Sequence, residues 1–160
     1  DIISKLRYII VGCECKWVII DHLHMITSTI NSMDERKIID NLMATLRSLA
    51  AETGVGLVLV SHLRRVSGNE GHENGVEVNL SHLRGSAGIG HIADSVIALE
   101  RNQQADDEIE SQTTRLRVLK SRYTGQVGLA AQLVYDKEQG RLTEVDITES
   151  SDLEFGDVPF

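Results

Sequence analysis

The stretch Trp17-Val18-Ile19-Ile20-Asp21-His22 ends a run of β-branched apolar residues on an acid. Such a run reads as a buried central strand with the Asp21 carboxylate at its C-terminal edge. In an ATPase of the P-loop class, an acid so placed holds the Mg²⁺ that accompanies the nucleotide phosphates. Further along, Val55-Gly-Leu-Val-Leu-Val-Ser61 reads as a second buried strand, and Ser61-His62 closes it at the same edge. Ligands of open α/β sheets sit outside the carboxyl ends of the strands. Asp21 there accepts from metal-bound water, and His62 donates to a γ-phosphate and registers its loss. The competing reading is a buried Asp and His that merely satisfy backbone groups. It explains either residue alone better than it explains both at one edge. The partner this chemistry needs, a phosphate-cradling Gly-x-x-x-x-Gly-Lys-Ser/Thr loop, is absent, since none of the 13 glycines is followed by Lys.

The elements that must position these groups follow from periodicity. Residues 2–11 read as the end of a helix and Val18–Asp21 as a strand. Ile38, Ile39, Leu42, Met43, Leu46, Leu49 and Ala50 recur at helical spacing, with Ser32 or Asp34 as cap and Gly54 as stop. Strand, crossover helix, strand makes a βαβ unit, which implies a parallel sheet covered on both faces. Residues 64–79 are polar and Gly-rich and read as a mobile surface loop. A short helix over Leu83–Ala93, a strand over Ser95–Glu100 and a polar loop over Asn102–Thr114 come next. Leu116–Ser121 and Leu129–Tyr135 then alternate as a hairpin, and Arg141–Glu144 reads as a short edge strand.

Composition narrows the class. One domain suits 160 residues, and 41% apolar residues supply a core built from aliphatic side chains, because aromatics are only 4%. Nothing approaches the roughly 18 apolar residues of a membrane span. A start at Asp1, with neither Met nor a leader-like segment, suggests a fragment. The net charge of −8 is unevenly placed: Glu144, Asp146, Glu149, Asp152, Glu154 and Asp157 crowd the last 17 residues without a single Lys or Arg. Removing those six leaves 18 acids against 16 bases, a nearly neutral body with an acidic tail expected to be disordered. Cys13 and Cys15 stand too close for a disulfide framework and read as reduced intracellular thiols.

The ordered series IIDH, DERK, TGVGLVLVSHLRR, LRGSAG, ADSVIALERNQQ, LKSRYTGQVG and YDKEQGRL resembles the C-terminal part of the DnaB-like replicative helicases. Within them it is most similar to the bacteriophage bifunctional primase–helicases and their mitochondrial relative Twinkle. The resemblance covers roughly residues 1–144, leaving 145–160 as the tail. It implies an α/β fold: the C-terminal part of a RecA-like P-loop NTPase core, a largely parallel sheet flanked by helices with a C-terminal β-hairpin. It implies a ring hexamer that couples NTP hydrolysis (ATP or dTTP, with Mg²⁺) to 5′→3′ movement on single-stranded DNA, in the cytoplasm of a bacterial host if phage-encoded. The P-loop Lys and catalytic Glu are then expected upstream of Asp1, and the isolated 160 residues are expected to be inactive.

Position by position, the resemblance makes Asp21 the Walker B acid and His62 the phosphate sensor. Arg122 matches the arginine finger that reaches a neighbouring subunit's nucleotide, with Lys120 its companion on the same strand face. Arg101 and Tyr135 match positions lining the nucleotide base. Arg64 and Arg65 open a loop that resembles one tracking single-stranded DNA, and Arg84-Gly85-Ser86 matches a second channel-facing loop. Where related phage loops carry further lysines, this one runs Ser67-Gly68-Asn69-Glu70, which implies a shallower salt dependence. His91 stands where the family usually has a Gln linking nucleotide state to DNA, so its protonation adds a pH dependence. By the same resemblance, the tail with Phe155 and Phe160 contacts the replicative DNA polymerase.

Two arrangements imitate other sites. Gly88-Ile-Gly90-His-Ile-Ala93 mimics a dinucleotide fingerprint, but Leu83-Arg84-Gly85-Ser86 is a poor preceding strand and no acid lies at the expected offset. Cys13 and Cys15 with His22 and His24 mimic a zinc site, but a strand between them sends successive side chains to opposite faces. Two other readings stay open from the residues: a RecA-like recombinase or other hexameric NTPase motor, and a non-catalytic partner-binding module.

Overall fold

The computed structural model describes residues 2–27, 35–65, 71–85 and 87–145. The anticipated helix caps at Ser32 and Asp34, the loop residues 67–70, Ser86 and the tail with Phe155 and Phe160 lie outside the described residues. The chain divides into two compact units, one formed by residues 1–64 with 79–94 and the other by 65–78 with 95–160.

In the first unit, helix α1 (Ile2–Arg7) runs into a π-helical turn at Tyr8–Gly12. Strand β1 (Trp17–Ile20), helix α2 (Leu23–Thr27), helix α3 (Glu35–Thr53), strand β2 (Gly56–Leu59) and helix α4 (Ala87–Ile92) follow. The βαβ unit forms as expected: β1 and β2 pair in parallel, with Trp17 opposite Gly56 and Ile20 opposite Leu59. The ladder runs past the strand ends, where the Val60 N–H donates to the Ile20 carbonyl at 2.9 Å and the Leu23 N–H donates to the Val60 carbonyl at 2.9 Å. Those two bonds set where the polar residues after each strand begin.

Helix α3 buries one stripe twice over. Leu46 and Leu49 pack with Leu6, Ile10 and Val55 against Val18, Ile20, Leu57 and Leu59 of the sheet. One turn nearer its start, Ile39 and Met43 pack with Leu23 and Ile89. Each such Leu or Ile contributes about 1.5–3 kcal/mol of hydrophobic burial. The helix ends at Gly54, whose φ of +70° only glycine adopts without strain and whose N–H donates to the Ala50 carbonyl at 2.9 Å.

One expectation about β1 fails. A strand buried on both faces was anticipated, yet Trp17 and Ile19 are 72% and 71% exposed, while Val18 and Ile20 turn toward the helices. Strand alternation sends the two sets to opposite faces, and only the Val18–Ile20 face is covered by α1 and α3.

The second unit holds strand β3 (Ser95–Glu100), helix α5 (Glu108–Gln112) and strands β4 (Thr113–Ser121), β5 (Gly128–Asp136) and β6 (Arg141–Glu144). They form a four-stranded antiparallel sheet in the order β3-β4-β5-β6. The expected hairpin and edge strand are both present, and the hairpin strands are longer than their alternation suggested. Parallel pairing between named strands is confined, among the described residues, to β1 and β2.

The two polar loops are more structured than their composition implied. Asn102–Thr114 contains α5, capped by Asp107, whose side chain accepts from the Glu110 N–H at 2.8 Å. The described part of the loop after Arg65 is pinned rather than loose. The Val78 N–H donates to Glu100 Oε1 at 2.8 Å, and Asn74 bridges to Asn102. Glu100 is 8% exposed, and both its oxygens accept from Arg117 Nε, at 3.0 and 3.1 Å. Arg117 also pairs with Glu77 at 3.2 Å. A buried carboxylate thus finds a guanidinium and a backbone donor, which is what its burial demands.

Candidate functional site

Asp21 and His62 stand at the C-terminal edge of the parallel pair, as the sequence indicated, and a residue between them joins the site. The Asp21 side chain is three-quarters exposed, and its Oδ1 lies 3.8 Å from Nδ1 of His22. The His22 ring stacks on the His62 ring, with centroids 3.9 Å apart and planes 26° from parallel. His24 completes a group of three imidazoles, its centroid 5.6 Å from that of His62 and 6.3 Å from that of His22. The strand lengths explain the meeting. Both strands stop just short of their polar ends, and the Val60–Leu23 bond brings the two departing chains together.

Among the described residues no three His, Cys, Asp or Glu side chains are placed to share an ion. The donor set is therefore a hard carboxylate oxygen beside imidazole N–H groups. The Asp21 carboxylate, a hard and exposed oxygen, could hold a water of a Mg²⁺ ion.

His24 is buried, and its burial, above all, pushes the imidazole below its ordinary range. Its Nε2 lies 3.2 Å from the Arg84 carbonyl, so the ring carries its proton there and donates. Arg84 is exposed and Gly85 half-buried on the segment leading to α4. Arg64, exposed, begins the other anticipated basic loop, and its N–H donates to the His82 carbonyl at 2.8 Å. Arg65 is exposed as well. His91 is exposed on α4, whose Ile89 and Gly90 are the buried positions.

The remaining expected site residues belong to the antiparallel sheet of the second unit. Lys120 is half-buried on β4 opposite Val96. Arg122 lies past the end of β4, in a turn closed by the Gly125 N–H donating to the Ser121 carbonyl at 3.0 Å. Strand alternation therefore does not put Arg122 on one strand face with Lys120, which corrects the expected pairing. Arg101 follows β3, and its Nε donates to the Ser111 carbonyl at 2.6 Å, which fixes the guanidinium near α5. Tyr135 is exposed on β5. The sequence places His22 with Asp21 at the polar end of the first strand and, with His24, in a false metal motif; its stacking on His62 has no signal there.

A family model for the DnaB-like helicase C terminal domain matches residues 1–144. The chain belongs to that family. A DNA helicase/primase of Enterobacteria phage T3 is 39% identical over 141 residues, which are 88% of this chain and 24% of that protein. The fold matches a solved ATPase domain with a TM-score of 0.69 at 24% identity, covering 91% of this chain and 50% of that one. It also matches a DnaB-like replicative helicase whose structure concerns its interactions with primase, with a TM-score of 0.53 at 22% identity over 68% of this chain and 25% of that one. The fold is thus RecA-like, as expected, and the chain spans about a quarter of the length of the phage relative. Among the described residues no helix is long and apolar enough to cross a membrane.

Proposed function

We propose that this chain is the C-terminal part of the motor of a replicative ring DNA helicase, coupling NTP hydrolysis to 5′→3′ translocation on single-stranded DNA and to duplex unwinding. The observation that carries the reading is the meeting of Asp21 and His62, through His22, at the carboxyl edge of two parallel strands. A carboxylate and an imidazole donor so held suit the two ends of a triphosphate's reacting region. Bound Mg²⁺ supplies charge neutralisation on the phosphate oxygens, and Asp21 is the residue that holds its water. His62 donates to the γ-phosphate and loses that partner on hydrolysis. Arg122, exposed in its turn, suits a finger reaching the nucleotide of the adjacent subunit in a homo-hexamer, where it neutralises charge developing on the transferred phosphoryl. Arg101 and Tyr135 line the base, with ATP or dTTP as the nucleotide.

Arg64, Arg65 and the Arg84-Gly85-Ser86 segment are the proposed phosphate contacts to single-stranded DNA, and His91 a coupling residue beside them. The acidic tail with Phe155 and Phe160 is proposed to dock on the replicative DNA polymerase. The test is NTP hydrolysis by the protein that carries this chain, with and without an oligo-dT strand. Mg²⁺-dependent turnover stimulated by the strand and abolished by Asp21→Ala is the expected result. Turnover that Asp21→Ala leaves intact would remove the reading.

A further inference from the structure

The backbone joins the sensor strand end directly to the Arg84 segment. The Arg84 N–H donates to the His62 carbonyl at 3.0 Å, and Leu63 bridges to Leu83 in antiparallel sense. With the Arg64–His82 bond, residues 62–64 and 82–84 make a short antiparallel ladder. At its far side the Arg84 carbonyl accepts from His24 Nε2. The same His24 ring lies against that of His62, 17° from parallel. Gly85 follows at a φ of +101°, and a Cβ there would run into Ile39 Cδ1 and lie 3.4 Å from His24 Nε2. The segment is therefore gripped between α3 and one buried imidazole.

We propose that His24 is a positioning residue that clamps the Arg84 segment to the His62 strand end, so that loss of the γ-phosphate at His62 is passed to the Arg84 loop through the 62–64/82–84 ladder. The proposal rests on the reading of His62 as sensor and Arg84 as DNA contact. It adds a buried ring and six backbone positions to the link, in addition to the coupling proposed for His91 on α4. A donor at position 24 is required, because the partner is a carbonyl oxygen that only accepts. Volume alone does not meet that requirement.

Two variants separate the donor from the packing. His24→Met fills the buried space without a donor, and His24→Gln keeps an N–H for the Arg84 carbonyl. Both are made in the protein that carries this chain, and hydrolysis is measured with and without oligo-dT. His24→Met is expected to lose about tenfold of the DNA stimulation, read as the ratio of hydrolysis with the strand to hydrolysis without it, and His24→Gln to retain most of that ratio. Full stimulation in His24→Met, or equal losses in both variants, overturns the clamp and leaves the helicase reading standing. A wild-type protein whose hydrolysis ignores the strand overturns both.

Discussion

The imidazoles of His22 and His62 lie face to face, 3.9 Å between centroids, across the ends of two neighbouring parallel strands. His22 leans in turn toward the Asp21 carboxylate. The proposed sensor is therefore not a lone side chain in solvent. Its ring has a fixed plane beneath it, and that plane is tied to the residue proposed to hold the metal's water.

Removing the plane should loosen the sensor without removing it. A ring pair is worth about 0.5–1.5 kcal/mol, so His22→Ala is expected to lower kcat of NTP hydrolysis about three- to tenfold with KM little changed. His22→Phe keeps a stacking face and should recover most of the loss. Steady-state kinetics on both variants checks this, and an unchanged kcat in His22→Ala would count against the stack.

Glu100 and Arg117 should matter for stability rather than chemistry. Glu100 is buried and Arg117 partly so, and Glu100 also holds the Val78 N–H. Glu100→Gln leaves Arg117 with a neutral partner, and breaking such a pair costs about 3–5 kcal/mol. Urea denaturation should report a loss of that order, with greater proteolytic sensitivity in residues 71–78. A shift under about 1 kcal/mol would mean that the pair is well hydrated.

His24 gives the fold a dependence on acid. Burial lowers its imidazole most, with the charges of Arg84 and His62 acting the same way, while the Arg84 carbonyl and Glu35 oppose them; the His22 ring also faces it. The folded state thus holds the neutral ring below the ordinary imidazole value of about 6.5. Its contribution is complete above that value and is lost as pH falls through the depressed one, because only the unfolded chain takes up the proton readily. Urea midpoints should drop on acidification from about pH 7.5 to about pH 5, less steeply in His24→Gln. An NMR titration placing the His24 midpoint at or above about 6.5 would contradict this.

Much of the architecture was legible in the residues. The edge strand Arg141–Glu144 and the strand Ser95–Glu100 form over the residues anticipated, and the stripe from Ile39 to Leu49 is the buried face of α3. What failed to read through was tertiary. A continuous apolar run does not say which of its faces is covered, so the exposure of Trp17 and Ile19 was hidden. A polar, Gly-rich stretch gives no sign that Glu100 and Arg117 will fasten Glu77 and Val78. Alternation predicts facing only inside a strand, and β4 ends at Ser121, one residue before Arg122. The ends holding Asp21 and His62 were visible because two strands closed on polar residues. The rings that support them were not, because His22 and His24 acquire their roles only once the two strand ends meet.

Asp21 and His62 are proposed to serve a nucleotide-driven motor on DNA. Strand displacement on a fork with a free 5′ tail, with NTP and Mg²⁺, is the decisive assay for that role in the protein that carries this chain. Wild-type protein is expected to unwind the fork only with the 5′ tail present, and unwinding is expected to fall to background in Asp21→Asn and His62→Ala. Unwinding that persists in Asp21→Asn, or that needs a 3′ tail instead, would contradict it.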